Sequence, residues 1–278
     1  MLCYHAPDQP DDHIRMGLVT METDAAARTI RNSFNCIAHR GASAYEPENT
    51  IASFTKAFDL GADGIECDVQ RSRDGHLVII HDGTVDRTTD GTGYVAEMTL
   101  AELRTLRIRG DSHNRLCIPV LDEVLGLVVS GERFLNLEIK GESPQETHAT
   151  ARAVAAKLAM LTPQARARLL VSSFEHASLL TFHAVIPDVR IAPLFGSDWR
   201  NYDMVRRARQ IGASAIHPAV RLVTPDLISR AHEAGLQVNA WTANRLPTLR
   251  ELLRLGVDGV FTDYPDRAIA LRNSLKQV

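Results

Sequence analysis

The 278-residue sequence predicts an α/β fold, a closed (β/α)₈ TIM barrel with a small insertion between the second strand and the second helix. Three observations predict this fold. Short β-branched runs alternate with segments of helical periodicity, which indicates βαβ units and a parallel sheet. Eight strand candidates fit into roughly 240 residues, the usual size of such a barrel. No Gly-rich dinucleotide fingerprint follows any strand candidate, which disfavours an open doubly wound sheet.

The predicted strands begin near Cys36, Ile65, Phe134, Leu169, Val189, Ala215, Leu236 and Gly259. Successive starts are 29, 69, 35, 20, 26, 21 and 23 residues apart, so one interval is about twice the next longest. That interval opens with a hairpin pattern in which Arg73, Asp74 and Gly75 separate two apolar runs. The insertion is therefore expected at about residues 83–118, as an excursion over the barrel mouth and not as a second domain.

Helical periodicity covers the segments between strands, and several of these segments end on glycine, a typical C-terminal signal. Residues 1–33 are polar and weakly periodic, so we expect an N-terminal extension with a short helix over 24–33, followed by a single barrel domain over 34–278. The other predicted helices span 49–60, 100–106, 147–161, 201–211, 225–234 and 246–255, with Gly61, Gly212, Gly235 and Gly256 at the ends of four of them.

Charge and composition exclude several classes of protein. The 31 Lys and Arg residues nearly balance the 34 Asp and Glu residues, which argues against nucleic-acid binding. No apolar run approaches the ~18 residues that a membrane span needs, and the acidic N-terminus lacks a signal-peptide pattern. The 4 cysteines have no CxxC spacing, which is typical of a reducing compartment. We therefore expect a cytoplasmic protein without stable membrane insertion, its oligomeric state left open.

Charged side chains cluster on two neighbouring predicted strands. Glu66 and Asp68 are two residues apart and so face the same side of their strand, and Glu138 and Lys140 repeat this spacing on the next one. Buried carboxylates that converge repel one another until a cation joins them, and hard oxygen ligands favour Mg²⁺ or Ca²⁺ over Zn²⁺. One divalent cation is predicted on Glu66, Asp68 and Glu138. The alternative is a buried ion-pair network with Arg40 and Lys140.

Two histidines lie next to predicted strand ends and close to these acids. His39 and His81 have the residue type that suits general acid–base chemistry near neutral pH. Arg40 and Lys140 are fixed cations suited to an anionic substrate. His217 also ends a strand, and its structural and functional interpretations are equally favoured. The remaining histidines are expected to be structural.

Several further residues could have either a structural or a functional role. Trp241 either stacks on a substrate at the barrel mouth or fills the upper barrel, whereas Phe174 is expected in the core, like Phe195. Asn49 and Thr50 precede an apolar helical segment, so capping is favoured over catalysis for both. Glu48, which stands just before them, is left open between the two roles.

A series of short motifs runs along the chain: IAHRG at 37–41, EPENT at 46–50, GIECDV at 64–69, VIIHD at 78–82, RTT at 87–89, IPVLDEVL at 118–125, LEIK at 137–140, VSSF at 171–174, AWT at 240–242 and DGVFTDYPD at 258–266. Taken in order, these motifs resemble the glycerophosphodiester phosphodiesterase family. The resemblance extends from about residue 35 to residue 270, and the order and spacing of the motifs make it specific.

The resemblance implies a TIM-barrel hydrolase that cleaves glycerophosphodiesters, such as glycerophosphocholine or glycerophosphoethanolamine, to sn-glycerol 3-phosphate and an alcohol. It leaves open which histidine is the acid, and whether water or the glycerol 2-hydroxyl attacks first. It implies roles for seven residues, all present here: metal binding for Glu66, Asp68 and Glu138, acid–base catalysis for His39 and His81, and phosphate binding for Arg40 and Lys140.

Two alternatives accompany this reading. Related barrels with the same chemistry act on lipids, as lysophospholipase D and sphingomyelinase D types do, and these need an apolar lip at the mouth. The polar segment 86–91 favours a water-soluble, small-molecule substrate instead. A non-catalytic phosphodiester-binding barrel would require a broken metal or acid–base set, and the set is complete.

Overall fold

Eight parallel strands close into a barrel within the residues that the computed structural model describes, 34–111, 116–129 and 133–274. A further strand, Leu77–Ile79, pairs antiparallel with Gly64–Arg71 and stands outside the ring. In chain order the strands are β1 (Asn35–Ala38), β2 (Gly64–Arg71), β3 (Leu77–Ile79), β4 (Phe134–Ile139), β5 (Leu169–Ser173), β6 (Arg190–Phe195), β7 (Ala215–Pro218), β8 (Gln237–Ala240) and β9 (Gly259–Thr262).

The ring closes at β1, which pairs with both β2 and β9. Ala38 lies opposite Ile65 on one side and Thr262 on the other. Each of the eight barrel strands begins within one residue of its predicted start, and the hairpin of β2 and β3 forms around the predicted turn. The TIM-barrel prediction is therefore confirmed, with the insertion between the second barrel strand and the helix that follows it.

The helices surround the barrel, and the five predicted barrel helices are present. Two of the five begin two or three residues late, at Ile51 and Met204, because Thr50 and Asp203 first form N-caps. The helix predicted from residue 147 begins three residues early, at Pro144, and the last two begin at the predicted residue. In chain order the helices are α1 (Ile51–Asp59), α2 (Leu100–Arg104), α3 (Leu121–Val129), α4 (Pro144–Ala159), α5 (Pro163–Arg166), α6 (His176–His183), α7 (Met204–Gln210), α8 (Pro225–Glu233), α9 (Leu246–Leu255) and α10 (Pro265–Ser274).

Strand alternation places the core and the site on opposite faces of the same strands. On β2, Cys67 and Val69 lie in a buried apolar cluster with Val154 of α4 and Phe182 of α6. Since successive strand side chains point to opposite faces, Glu66 and the other even-numbered residues of β2 face the barrel interior. Burial of each large apolar side chain contributes about 1.5–3 kcal/mol to the free energy of unfolding. Packing between strands and helices can therefore offset the cost of burying charged residues inside the barrel.

The insertion has an apolar cluster of its own. Ile80, the residue directly after β3, packs in one buried group with four residues of the insertion: Val85, Val95, Leu103 and Ile108. This packing attaches the insertion to the β3 side of the barrel mouth.

Some predictions fall outside the described residues. The N-terminal extension over 1–33 and its predicted helix lie there, so the domain division at residue 33 stays a prediction. Every helix in the described ranges is too short or too polar to serve as a membrane-spanning segment.

Candidate active site

Three buried carboxylates meet inside the barrel at the carboxyl ends of β2 and β4. Asp68 and Glu138 are paired Cα partners on these adjacent strands, and Glu66 lies one pleat earlier on β2. Each of the three offers an oxygen atom, and these oxygens all lie within 4.8 Å of one another. The structure thus brings together the three residues predicted as metal ligands.

The Glu66 carboxyl has an oxygen that suits a cation. Its Oε1 is buried and accepts no hydrogen bond from any described residue. Burial, followed by the charges of Asp68 and Glu138, raises the pKa of Glu66 well above its usual range. A divalent cation among the three carboxylates would offset both effects, and their hard oxygens suit Mg²⁺ or Ca²⁺. The donor set therefore fits such an ion.

Two cations border the carboxylates. Lys140 Nζ lies 2.7 Å from Glu138 Oε1 and 3.4 Å from Asp68 Oδ1, and Arg40 Nε lies 3.4 Å from Asp68 Oδ2. Burial opposes the charge on Asp68, but Lys140, His81 and Arg40 hold its pKa below the usual range. The ion pairs of the alternative interpretation therefore form, and they still leave Glu66 Oε1 without a partner, so the metal site stays a prediction.

The turn after β1 positions Arg40. Arg40 has φ 55° and Gly41 has φ 82°, so the chain reverses through left-handed conformations. A Cβ at Gly41 would stand 2.3 Å from Ser53 Oγ, which makes this position specific for glycine. In this conformation the Arg40 amide donates to Glu66 Oε2 over 2.8 Å.

Asn49 corrects a sequence-based prediction. Thr50, and not Asn49, is the N-cap of α1, where its side chain accepts from the Ser53 amide. Asn49 has φ 57° and its Nδ2 donates to Asp68 Oδ2 over 2.8 Å, while its Oδ1 accepts from the Asp68 amide. Asn49 therefore positions a predicted metal ligand, and the capping pattern hid this role because both residue types cap helices.

His39 pairs with a carboxylate from the last strand's end. Its Nδ1 and Asp263 Oδ1 share a hydrogen bond of 2.7 Å. Asn244 Nδ2 donates to Asp263 Oδ2 over 2.6 Å, and Ser43 Oγ donates to Asp263 Oδ1 over 3.1 Å. Burial opposes the charge on Asp263, and the bond from His39 leads the effects that lower its pKa.

His81 pairs with its neighbour in sequence. Its Nδ1 and Asp82 Oδ1 share a hydrogen bond of 2.6 Å, and Arg87 Nε donates to Asp82 Oδ2 over 2.6 Å. Arg87 continues to Glu48 with two hydrogen bonds of 2.7 Å each, and Glu48 also accepts from Arg40 Nη1 over 2.9 Å. Both predicted catalytic histidines therefore use Nδ1 for a carboxylate, which leaves Nε2 for other contacts.

Aromatic residues at the mouth depart from the predictions. Phe174, expected in the core, is 48% exposed, because it follows β5 at the open end of the barrel. Its ring stands edge-on to Trp241 with centroids 5.4 Å apart, and Lys140 Nζ lies 5.8 Å from its centroid. Phe195 is buried as predicted. Trp241 is half-buried and its Nε1 donates to the His217 carbonyl over 2.7 Å.

His217 lies inside the barrel wall. It is fully buried, packs edge-on against Phe261 and lies 3.2 Å from the Asn239 amide nitrogen through its Nε2. Burial lowers its pKa to about 3. The structure thus favours the structural interpretation of this residue.

Several residues of the site had no predicted role, among them Asp82, Asp263, Arg87 and Asn244. Asp82 and Asp263 belong to the VIIHD and DGVFTDYPD motifs, which were a usable signal. Arg87 and Asn244 lie in loops, where no periodicity indicates which way a side chain points.

Comparisons with known proteins identify the family to which the chain belongs. The chain matches the glycerophosphoryl diester phosphodiesterase family over residues 39–267. It is 38% identical over 249 residues to a glycerophosphodiester phosphodiesterase of Bacillus altitudinis, covering 86% of this chain and 98% of that protein. A second one, of Caldanaerobacter subterraneus, is 36% identical over 238 residues, covering 84% and 96%. Among solved structures, an Oleispira antarctica phosphodiesterase in complex with the product sn-glycerol-3-phosphate gives a TM-score of 0.78 at 31% identity, covering 86% of this chain and 96% of that one.

Proposed function

Since the chain belongs to the glycerophosphoryl diester phosphodiesterase family and is therefore a phosphodiester hydrolase, we propose that it converts glycerophosphodiesters to sn-glycerol 3-phosphate and an alcohol. Glycerophosphocholine and glycerophosphoethanolamine are the proposed substrates. One observation carries the proposal: three converging carboxylates, two histidine–carboxylate pairs and two cations share the open end of one barrel. The product held by the Oleispira antarctica relative supports the proposed product.

Glu66, Asp68 and Glu138 would hold one divalent cation, Mg²⁺ or Ca²⁺. When bound, this ion would polarise a phosphoryl oxygen and increase the acidity of the nucleophile. The chain supports this role by excluding water from the three carboxylates, all of which are buried.

Arg40 and Lys140 would bind the phosphodiester. Both are held beside the carboxylates by ion pairs, so their positions are set before the substrate arrives. Their charges would offset the negative charge that builds on the phosphoryl oxygens as the nucleophile attacks. Preorganised charges of this kind act most strongly in a site that excludes water.

His39 and His81 would move the protons. Each has its Nδ1 bound to a carboxylate, which fixes the ring and keeps Nε2 available at the site. One Nε2 would take the proton from the attacking hydroxyl, water or the glycerol 2-hydroxyl. The other would protonate the alkoxide that leaves as the bond between phosphorus and oxygen breaks. If the 2-hydroxyl attacks, water would open the resulting cyclic phosphate in a second step, so either route consumes one water overall.

Trp241 is proposed to line the substrate pocket together with the exposed Phe174. The cytoplasm is the proposed location, because Cys36 and Cys67 are free buried thiols on β1 and β2, as suits a reducing compartment.

The deciding experiment measures sn-glycerol 3-phosphate release from glycerophosphocholine with a coupled dehydrogenase, in Mg²⁺, in Ca²⁺ and in EDTA. We expect release that EDTA stops and one of the two ions restores. Release in EDTA at the full rate would contradict the metal site. Turnover of lysophospholipid without turnover of glycerophosphocholine would contradict the proposed substrate class, and binding without any turnover would indicate a phosphodiester-binding barrel.

A further inference from the structure

The insertion contributes one charged side chain directly to the surroundings of His81. The Arg87 guanidinium spans two carboxylates, with Nε on Asp82 Oδ2 at 2.6 Å and Nη1 and Nη2 on the two oxygens of Glu48 at 2.7 Å. A third contact, from Nη2 to Asp82 Oδ1, measures 3.3 Å. A planar fork of this kind sets the orientation of both carboxylates, which a single-point cation does not do.

Glu48 connects this arrangement to the predicted phosphate site. It accepts from Arg87 on one side and from Arg40 Nη1 on the other. Burial opposes its ionisation, yet the bond from Arg87 and the charge of Arg40 lower its pKa, so Glu48 is charged at neutral pH. A continuous chain of contacts therefore runs from Arg40 through Glu48, Arg87 and Asp82 to His81.

The turn that carries Arg87, residues 85–89, is anchored at both ends by buried residues. Val85, two residues before it, is fully buried in the apolar cluster of the insertion. Thr89, two residues after it, is also fully buried, and its hydroxyl donates to the Val85 carbonyl over 2.8 Å. The ends of this short turn are thus fixed while the Arg87 side chain extends toward the site.

We propose that Arg87 and Glu48 form a positioning pair that holds His81 in its reactive orientation, through Asp82, and sets it relative to Arg40. Neither residue needs to touch the substrate. This inference rests on the proposed function, because it assigns the pair to the same reaction. It also gives the insertion a role in the chemistry, since the insertion supplies the cation that orders two carboxylates of the barrel.

The expected effect of Arg87→Gln is a fall in kcat of about 10- to 100-fold, because a small displacement of a reacting group can cost about 10²-fold. Arg87→Lys should recover only part of this loss, since an ammonium cannot make both forked contacts. Glu48→Gln should lower kcat and also raise KM, because Glu48 also orients Arg40.

The matched control is Arg104→Gln. Arg104 is also an arginine of the insertion, and its Nη2 bonds Glu123 of α3 over 2.8 Å. It anchors the insertion without any contact to Asp82, so its replacement should leave kcat unchanged. A loss of kcat in Arg104→Gln equal to that in Arg87→Gln would show that Arg87 merely anchors the insertion.

A double-mutant cycle with His81 separates positioning from general destabilisation. If Arg87 acts through His81, adding Arg87→Gln to the His81→Ala variant should not lower kcat further. Adding Arg87→Gln to the His39→Ala variant should still lower kcat. An equal fold loss in all backgrounds would overturn the proposal. The ¹⁵N shifts of the His81 ring provide a second readout when residual rates are too low: Arg87→Gln should move them and Arg104→Gln should not. Unmoved shifts in Arg87→Gln would equally overturn it, whereas a wild-type chain without turnover would instead contradict the proposed function.

Discussion

The backbone amide of Arg40 donates a 2.8 Å hydrogen bond to Glu66 Oε2, which joins the end of the first barrel strand to the carboxylate cluster on the second. The bond depends on the left-handed conformation of Arg40 and on the glycine that follows it. Arg40 thus binds a predicted metal ligand with its main chain and offers its side chain to the predicted phosphate site. This single turn of the chain therefore sets the distance between the predicted metal site and the predicted phosphate site.

Glu66→Gln should abolish turnover and leave the fold intact. The amide oxygen of Gln can still accept from Arg40, while its NH₂ group replaces the unpartnered Oε1. In EDTA the Tm of this variant should equal or exceed that of wild type, because the raised pKa of Glu66 makes its charged form costly to folding. That cost is absent below the pKa of the unfolded chain and develops as pH rises through the folded pKa.

Calorimetry with and without metal checks this prediction. Mg²⁺ or Ca²⁺ at a hundredfold excess over Kd should stabilise the wild type by about 2.7 kcal/mol and the variant by much less. An equal metal response in the two proteins would remove Glu66 from the metal site.

Asp68→Asn should also abolish turnover, but it should lower Tm in EDTA. The charges of Lys140, His81 and Arg40 outweigh burial and lower the pKa of Asp68, so its carboxylate stabilises the fold. This contribution is present above the unfolded pKa and is lost as pH falls through the folded pKa. Denaturant titrations of both proteins from neutral to acid pH should therefore converge at low pH, and a constant difference would contradict the assignment.

His39→Ala and His81→Ala should each lose about 10²- to 10⁴-fold in kcat on glycerophosphocholine, the range for a general acid or base. On a substrate whose leaving group is p-nitrophenolate, which needs no proton, the variant that lacks the general acid should recover most of its rate. Parallel assays of both variants on both substrates thus identify the acid. Full activity of either variant on glycerophosphocholine would exclude that residue from the mechanism.

His217 should limit stability in acid. Burial lowers its pKa to about 3, so the unfolded chain binds a proton between pH 6.5 and 3 that the folded chain refuses. Each pH unit in this window should cost up to about 1.4 kcal/mol from this residue. His217→Gln, which keeps an acceptor for Asn239, should flatten the fall, as measured by urea unfolding at several pH values. If stability fell equally steeply with pH in His217→Gln and in wild type, His217 would be able to accept a proton while the protein stays folded.

Phe174→Ala should raise KM for glycerophosphocholine by about 2- to 10-fold with little change in kcat. Its exposed ring, edge-on to Trp241, offers apolar contact worth about 0.5–1.5 kcal/mol to a substrate entering the mouth. Tyr202→Ala provides the control, because the exposed Tyr202 ring stands edge-on to Trp199 and makes no other ring pair among the described residues. Equal KM changes in both variants would indicate a general effect on the barrel mouth.

Local patterns were sufficient for much of the site. Glu66 and Asp68 share a face because strand side chains alternate, and the parallel pairing of neighbouring strands brings Glu138 to the same height. Burial of both strand faces makes an unpaired charge there costly, so the carboxylates themselves indicated a cation. Short β-branched runs between helical segments explain why the strand starts could be predicted within one residue.

The positions of side chains in loops could not be predicted from local patterns. Phe174 was expected in the core from its apolar character, but its position one residue beyond β5 puts it at the open end. Asn49 looked like a cap because Asn caps helices well, and only the left-handed turn before α1 directs it to Asp68. Arg87 belongs to the RTT motif, but no periodicity in its loop indicates which way the side chain points.

The sequence by itself determined the barrel, the place of the insertion and the residues that carry charge at the strand ends, because strand and helix periodicities are local properties of the chain. The tertiary structure alone decided which carboxylate each histidine holds, where Asn49 and Arg87 point, and that Phe174 stays exposed. His39 and Asp263 are 224 positions apart and meet only because the barrel closes between its first and last strands. Contacts of that kind depend on ring closure, which no window of sequence contains.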